Sequence, residues 1–277
     1  MVKKILVTGS SGYIGSHLCK MLGNNYEVYG LDLNDPKAPV NEFYTCDINR
    51  PFAIPNDIEF DAVIHLAALV NVGESEQKPI QYYITNINGT MNVINRIKSK
   101  NFIFASTGAA EGCASAYGIS KRAAEDVVKE YCTQHRQIPY TIFRFYNVIG
   151  SDGFEPTNPD GLMYNLMKAH DKGEFTIFGK DYDESWDGTC VRDYVHVMEI
   201  CHALKDAIET PANGVECLGH GVGYTVKEIV DTFKRVNDVD FEVKYGPRRK
   251  GDLASSVLEN VSPYMRNLYL MEELLKV

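Results

Sequence analysis

A glycine-rich turn set between an apolar strand and an amphipathic helix constrains this chain more than any other feature. Ile5-Leu6-Val7 is apolar and partly β-branched, the pattern of a buried parallel strand. Thr8-Gly9-Ser10-Ser11-Gly12-Tyr13-Ile14-Gly15 follows, with glycines at 9, 12 and 15. Ile14, Leu18, Met21 and Leu22 then recur at helical spacing, and a second strand, Glu27–Leu31, ends on Asp32. A turn without Cβ atoms lets backbone approach a pyrophosphate, and the free N–H groups at a helix start favour negative charge. An acid closing the second strand accepts hydrogen bonds from both ribose hydroxyls and repels a 2′-phosphate. Strand, turn, helix and acid fall in the order a dinucleotide site requires, so the expected ligand is NAD rather than NADP. Gly9, Gly12, Tyr13, Ile14, Gly15 and Asp32 are its first candidate contacts.

Composition narrows the classes that remain. The 277 residues, 44% hydrophobic and 23% charged, suffice for a sizeable core in one large or two interleaved domains of an ordinary soluble protein. The formal net charge is -9 and no basic run exceeds Arg248-Arg249-Lys250, which argues against a nucleic-acid partner. No apolar run is long enough to span a bilayer, and the chain opens on a strand rather than a signal peptide. Seven scattered cysteines, an odd number without a C-x-x-C pair, suit reduced thiols in the cytoplasm. In His196-x-x-Glu199-x-x-His202 the two histidines point to different helix faces, so no metal site is expected.

Further along, Phe43–Cys46 reads as a third strand, with Asp47-Ile48 at its end. Asp47 either accepts from an adenine amino group, with Ile48 packed on the ring, or simply caps a turn. Asp61–His65 is a fourth strand that runs into Leu66-Ala67-Ala68, small enough for close approach to a cofactor, and His65 reads as a core histidine. A helix is expected over 79–98, with Asn86 inside it. Phe102–Ala105 is a fifth strand with Ser106-Thr107 at its C-terminal end, the edge where chemistry collects in parallel sheets.

Tyr117-Gly118-Ile119-Ser120-Lys121 opens the next helix and holds the strongest catalytic signal. Positions i and i+4 share a helix face. An ammonium beside a phenol favours the phenolate, lowering a pKa that starts near ~10, so Tyr117 becomes usable as an acid/base group. Thr107 is placed to orient a substrate hydroxyl. Pro139–Val148 is a sixth strand ending on Asn147, a candidate ligand contact. From about Ile149 the βαβ alternation breaks. Phe175–Gly179 reads as an edge strand with Phe178 over a ligand, Arg192 suits an anionic group, and Arg249 with Asp252 forms a second polar cluster. Arg192 and Arg249 either neutralise a diphosphate, with Asp252 accepting from a ribose, or are unrelated surface residues.

These residues resemble the extended short-chain dehydrogenase/reductase family, and within it the UDP-hexose 4-epimerases. The resemblance is carried by Thr8-Gly9-x-x-Gly12-x-x-Gly15, Val72-Gly73-Glu74-Ser75-x-Gln77-Lys78-Pro79, Asn86-x-Asn88-Gly89-Thr90, Tyr117-x-x-x-Lys121, Arg144-Phe145-Tyr146-Asn147, Gly188-Thr189-x-Val191-Arg192-Asp193-Tyr194-x-His196-Val197 and Arg249-x-Gly251-Asp252. It implies an α/β protein: a Rossmann-type doubly wound parallel sheet over residues 1–148, rejoined by a segment near 188–210, with a smaller α/β C-terminal substrate domain over 149–277. It implies a tightly held NAD and a UDP-sugar between the domains, with Tyr117, Lys121 and Thr107 catalytic. Asp47, Ile48, Leu66, Ala67, Ala68, Asn86, Ser106 and Tyr146 join the expected cofactor contacts. Asn147, Phe178, Arg192, Arg249, Asp252 and Ser256 are the expected substrate contacts. A homodimer through the helices near 79–98 and 117–134 is implied as well.

The chain departs from relatives at several positions. Only Gly112–Ala116 precedes Tyr117 where they carry a longer loop, Val70 replaces a lysine, Gly161 stands for an asparagine, and Ser256 replaces a bulky tyrosine of some relatives. Ser256 leaves room for a 2-acetamido group, so N-acetylated UDP-hexoses are expected substrates too. A 4,6-dehydratase needs an acid pair after the threonine, and Gly108-Ala109 cannot move protons. A UDP-glucuronate decarboxylase, which usually has a glutamate there, and a non-catalytic NAD-binding protein, which has no need of the Tyr117/Lys121 pair, fit the pattern less well.

Overall fold

A computed structural model describes residues 2–52, 54–55, 58–249 and 252–276. Around the glycine turn lie β1 (Lys4–Thr8), α1 (Tyr13–Leu22) and β2 (Glu27–Asp32), then β3 (Glu42–Thr45) and β4 (Ala62–His65). Next come α2 (Val72–Gln77), α3 (Pro79–Tyr83), a π-helical turn at Ile84–Asn88, α4 (Gly89–Arg96), β5 (Phe102–Thr107), α5 (Ala109–Gly112), α6 (Ala116–Glu130) and β6 (Tyr140–Phe145). The remainder forms β7 (Asn147–Ile149), α7 (Leu162–Lys172), β8 (Glu174–Phe178), β9 (Val191–His196), α8 (Val197–Glu209) and β10 (Gly214–Leu218). After these come β11 (Gly223–Thr225), α9 (Val226–Asn237), β12 (Glu242–Gly246), β13 (Ser255–Ser256) and α10 (Met271–Leu274). No helix among the described residues is long and apolar enough to cross a membrane.

The chain divides into two compact units, Met1–Phe145 with Cys201–Glu216, and Tyr146–Ile200 with Cys217–Val277. A seven-stranded sheet runs in the order β10-β6-β5-β4-β1-β2-β3, and the five pairings from β6 to β3 are parallel. This is a doubly wound sheet whose winding reverses between β1 and β4, so their carboxyl ends flank the crevice where ligands of such sheets bind. Continuous apolar runs build it: Ile5, Leu6, Val7, Val63, Ile64, Ile103 and Phe104 have no exposed surface. Each such side chain contributes roughly 1.5–3 kcal/mol on burial, which is why these strands do not alternate. In the second unit β9 is the hub, pairing in parallel with β7 and β13 and antiparallel with β11, while β8 and β12 form a separate parallel pair. Its core gathers Leu166, Phe175, Ile177, Ile229, Val230 and Phe233.

Three expectations change in detail. The single helix over 79–98 is α3 and α4 joined by the π turn, which places Asn86 inward. The sixth strand ends at Phe145, because Asn147–Ile149 pairs with β9 instead of continuing beside β5. The return to the first unit is Cys201–Glu216, and 188–196 stays in the second because β9 is its central strand.

Candidate active site

The glycine turn is built for close approach. Gly9 has φ 71°, in the region that favours glycine, and a Cβ on it would lie 2.7 Å from the Ala67 nitrogen at the end of β4. A Cβ on Gly15 would collide with the Gly9 carbonyl, so α1 starts hard against the turn. The Asp32 carboxylate accepts from the Ser11 N–H at 3.0 Å and the Asn34 N–H at 3.0 Å, which fixes it beside the turn and leaves lone pairs over. Ser10 Oγ is buried without a partner, a cost of about 1–3 kcal/mol that a ligand acceptor would relieve. These features fit a dinucleotide. Tyr13 and Ile14 are half-buried in the first turn of α1, and Leu66, Ala67 and Ala68 are half-buried past β4.

Other candidates for that ligand are already engaged within the protein. Asp47 Oδ1 accepts from the Asn49 N–H at 2.9 Å, so its carboxylate caps a turn. Ile48 is buried in the core of the first unit, with its side chain against Gly89. Asn86 is buried: its Oδ1 accepts from Leu69 N–H at 2.9 Å, and its Nδ2 donates to Leu69 O at 2.9 Å and Ser120 Oγ at 2.9 Å. Ser106 Oγ donates to the Glu125 carboxylate. Tyr146 lies in the second unit, half-buried, with its N–H on Leu218 O. Val70 is 48% exposed. His65 is the core histidine expected: Thr8 Oγ1 lies 2.6 Å from its Nδ1 and Thr90 Oγ1 3.0 Å from its Nε2. Burial, with the Lys121 charge, pushes it down to about 3, so it is neutral at physiological pH.

Thr107 closes β5, while Tyr117 and Lys121 lie one turn apart, both buried, in the first turns of α6. The Thr107 hydroxyl, which accepts from the Ala109 N–H at 3.2 Å, lies near enough to the Tyr117 phenol to favour its ionised form. Ser115 caps α6 by accepting from Gly118 N–H at 3.1 Å, and Ser120 Oγ donates to Tyr117 O at 2.7 Å. Lys121 is buried with its Nζ 4.2 Å from the centre of the Phe104 ring. The expected electrostatics are reversed here. Burial pushes Tyr117 up to about 12, offset only by Thr107, and pushes Lys121 down to about 7 against the pull of Glu125. Burial dominates both shifts, and both groups lean to their neutral forms.

A buried ion pair that the sequence did not signal lies alongside. Arg144 Nε and Nη2 reach the two Glu125 oxygens at 2.9 and 2.7 Å, and Nη1 reaches Glu111 at 3.2 Å. Glu125 stands two turns beyond Tyr117 on the same helix face, a spacing that would have exposed it had the strand partner been known.

In the second unit Arg192 donates to Asp252 at 2.8 Å and to Val191 O at 2.7 Å. The Arg249 guanidinium lies 4.1 Å from the centre of the Phe178 ring. Ser256 is the register neighbour of Arg192 on β13, and Asn147 Nδ2 donates to Asp193 O at 3.1 Å. Asp193, fully buried, accepts from the N–H groups of His220 and Gly221 at 2.8 Å, tying down the loop after β10.

The family model for the NAD dependent epimerase/dehydratase family matches residues 5–219. A UDP-glucose 4-epimerase of Lactobacillus helveticus is 35% identical over 297 residues, covering 93% of this chain and 88% of the relative. The crystal structure of UDP-glucose-4-epimerase from Stenotrophomonas maltophila, with bound NAD and formylated UDP-arabinopyranose, superposes with a TM-score of 0.84 at 26% identity, covering 99% of this chain and 96% of that one. The UDP-Glc/GlcNAc 4-epimerase of Campylobacter jejuni does so with 0.78 at 28%, covering 99% and 97%. A match that starts in β1 and runs through the last strand of the seven-stranded sheet, with a relative above 30% identity over nine-tenths of the chain, makes this protein a member of the NAD dependent epimerase/dehydratase family.

Proposed function

We propose that the chain is an NAD-dependent UDP-hexose 4-epimerase, inverting C4 of the sugar through a 4-keto intermediate. The observation that carries the reading is the placement of a buried Tyr117 phenol near the Thr107 hydroxyl at the end of β5, with a buried Lys121 one turn further along α6. NAD, when bound on the turn after β1, supplies a hydride acceptor and donor. Tyr117 takes the proton that leaves the sugar 4-hydroxyl and gives it back to the same oxygen when C4 regains its hydrogen on the opposite face. Thr107 orients that hydroxyl, and Lys121 stabilises the phenolate once the site is closed to water. Arg192, held by Asp252, and Arg249, stacked on Phe178, supply cations for a diphosphate. Asn147 is a further sugar contact. Gly108 and Ala109 follow Thr107, so no side chain there moves a second proton, which favours epimerisation over elimination or decarboxylation.

Ser256 is small and adjacent in register to Arg192, which supports acceptance of UDP-GlcNAc and UDP-GalNAc beside UDP-Glc and UDP-Gal, as does the likeness to the Campylobacter enzyme. Exposed Ile80, Ile84 and Met91 along 79–96, with Ile119 on α6, support a homodimer through these helices. Scattered cysteines in odd number support the cytoplasm as its compartment.

The test uses UDP-glucose and UDP-GlcNAc deuterated at C4, in ordinary buffer. The C4 epimers should form with the label kept, and Tyr117→Phe should abolish turnover while NAD stays bound. Label lost to solvent, or undiminished turnover by the variant, overturns the reading.

A further inference from the structure

Two contacts converge on the first turn of α6 from the segment Val72–Tyr83, to which the proposed chemistry gives no task. Tyr82 has no exposed surface, and its ring stands at 83° to that of Tyr117 with centres 6.4 Å apart. Its hydroxyl is used at both ends, accepting the Asn71 N–H at 3.1 Å and donating to Glu74 Oε2 at 3.1 Å. Glu74 is itself held: its other oxygen takes the Lys78 ammonium at 2.8 Å, and its N–H is capped by Asn71 Oδ1 at 2.7 Å. One residue before Tyr117, the Ala116 N–H donates to Glu76 Oε1 at 2.9 Å. Thus α2 grips the backbone of the turn, while α3 sets a ring against the side chain that follows.

We propose that Tyr82 is a positioning residue whose ring, pinned by Asn71 and Glu74, walls the Tyr117 phenol into the orientation that Thr107 and a sugar hydroxyl require. The inference rests on the reading of Tyr117 as the acid/base group. Perpendicular aromatic pairs have a defined geometry, and a ring that cannot withdraw holds its neighbour more narrowly than an aliphatic side chain of like volume. A buried phenol whose hydroxyl is bonded on both sides cannot withdraw without stranding the Asn71 N–H and the Glu74 carboxylate. The Thr107 hydroxyl at the end of β5 is near the same phenol, so the Tyr117 side chain has a ring on α3 and a hydroxyl on β5 as neighbours.

A core filler and a wall respond differently to substitution. A filler tolerates any apolar residue of similar volume, whereas a wall needs the ring. Tyr82→Leu should therefore lower kcat about tenfold or more through misplacement of the phenol, with KM for UDP-glucose and bound NAD content within about twofold of the parent. Tyr82→Phe keeps the ring and should hold kcat within about threefold, while Tm falls because Asn71 and Glu74 lose their shared partner. If Tyr82→Leu does not fold, Tyr82→Met, unbranched and adaptable, takes its place with the same expected losses. A ringless variant at parental kcat overturns the inference whatever its Tm, and so does Tyr82→Phe losing as much kcat as Tyr82→Leu. Tyr117→Phe is assayed beside them. If it turns over, the underlying reading fails; if it is dead while Tyr82→Leu is fully active, only the role of Tyr82 fails.

Discussion

Tyr117 and Lys121 lie one helical turn apart, yet each titrates as burial dictates rather than as its neighbour's charge would. Tyr117 is pushed up to about 12 and Lys121 down to about 7. The spacing of the two residues was legible in the sequence, but their enclosure was not, since it depends on Phe104, Tyr82 and Glu125 folding around them. For Lys121 this carries a stability consequence. In the unfolded chain it is charged up to its ordinary 10.5, whereas in the folded protein it resists protonation down to about 7. Its charge therefore penalises folding below 10.5, fully so below about 7, and the penalty fades as pH rises through that window. Lys121→Met fills the same space without a charge. At pH 6 it should raise Tm by at least about 2 °C, the gain shrinking towards pH 10, while turnover is lost. Thermal melts across pH decide it: no gain at pH 6, or a gain that ignores pH, shows that Lys121 is not held at a cost.

The glycine turn shows at the scale of elements how differently two residues of one motif behave. A Cβ on Gly15 would collide with the Gly9 carbonyl, whereas one on Gly12 would stand 3.2 Å from the same atom. Gly15→Ala must force α1 away from the turn, an overpacking cost of roughly 1–3 kcal/mol, and Gly12→Ala needs a shift of only a few tenths of an ångström. Melts should place Gly15→Ala several degrees below Gly12→Ala, and the order reversed would contradict the packing. The strands and helices of the first unit were readable because period and punctuation agree there. The π turn at Ile84–Asn88 was not, since side-chain bonds of Asn86 to Leu69 and Ser120, partners far away in sequence, accompany the inward placement of this turn. The short strands β11 and β13 had no signal, and β7 read as the end of the sixth strand, for a related reason: each has two or three residues, and pairing with β9 defines them more than their own pattern does.

For the whole molecule, charge and exposed apolar surface decide what the protein can meet. A net charge of -9 keeps identical chains apart at long range, so self-association needs an apolar contact that outweighs it. Ile80, Ile84 and Met91 are 66%, 45% and 47% exposed along one stretch of the first unit, and Ile119 on α6 is 44% exposed. A groove of about 600 Å³ lined by Pro79, Ile80 and Ile84, with Lys78, Gln77 and Gln81 beside them, indents the same stretch. Apolar side chains rimmed by polar ones suit a partner site, and the proposed homodimer would bury these residues. A glutamate at Ile84 would put two unpaired carboxylates into such a symmetric contact, each facing a chain that is already acidic. Sedimentation should find the parent as a dimer at micromolar concentration and Ile84→Glu as a monomer. The variant should keep its NAD, since Ile84 is 45% exposed and is not among the proposed cofactor contacts. A monomeric parent, or an undiminished dimer of Ile84→Glu, would move the interface elsewhere and leave the apolar stripe to another occupant.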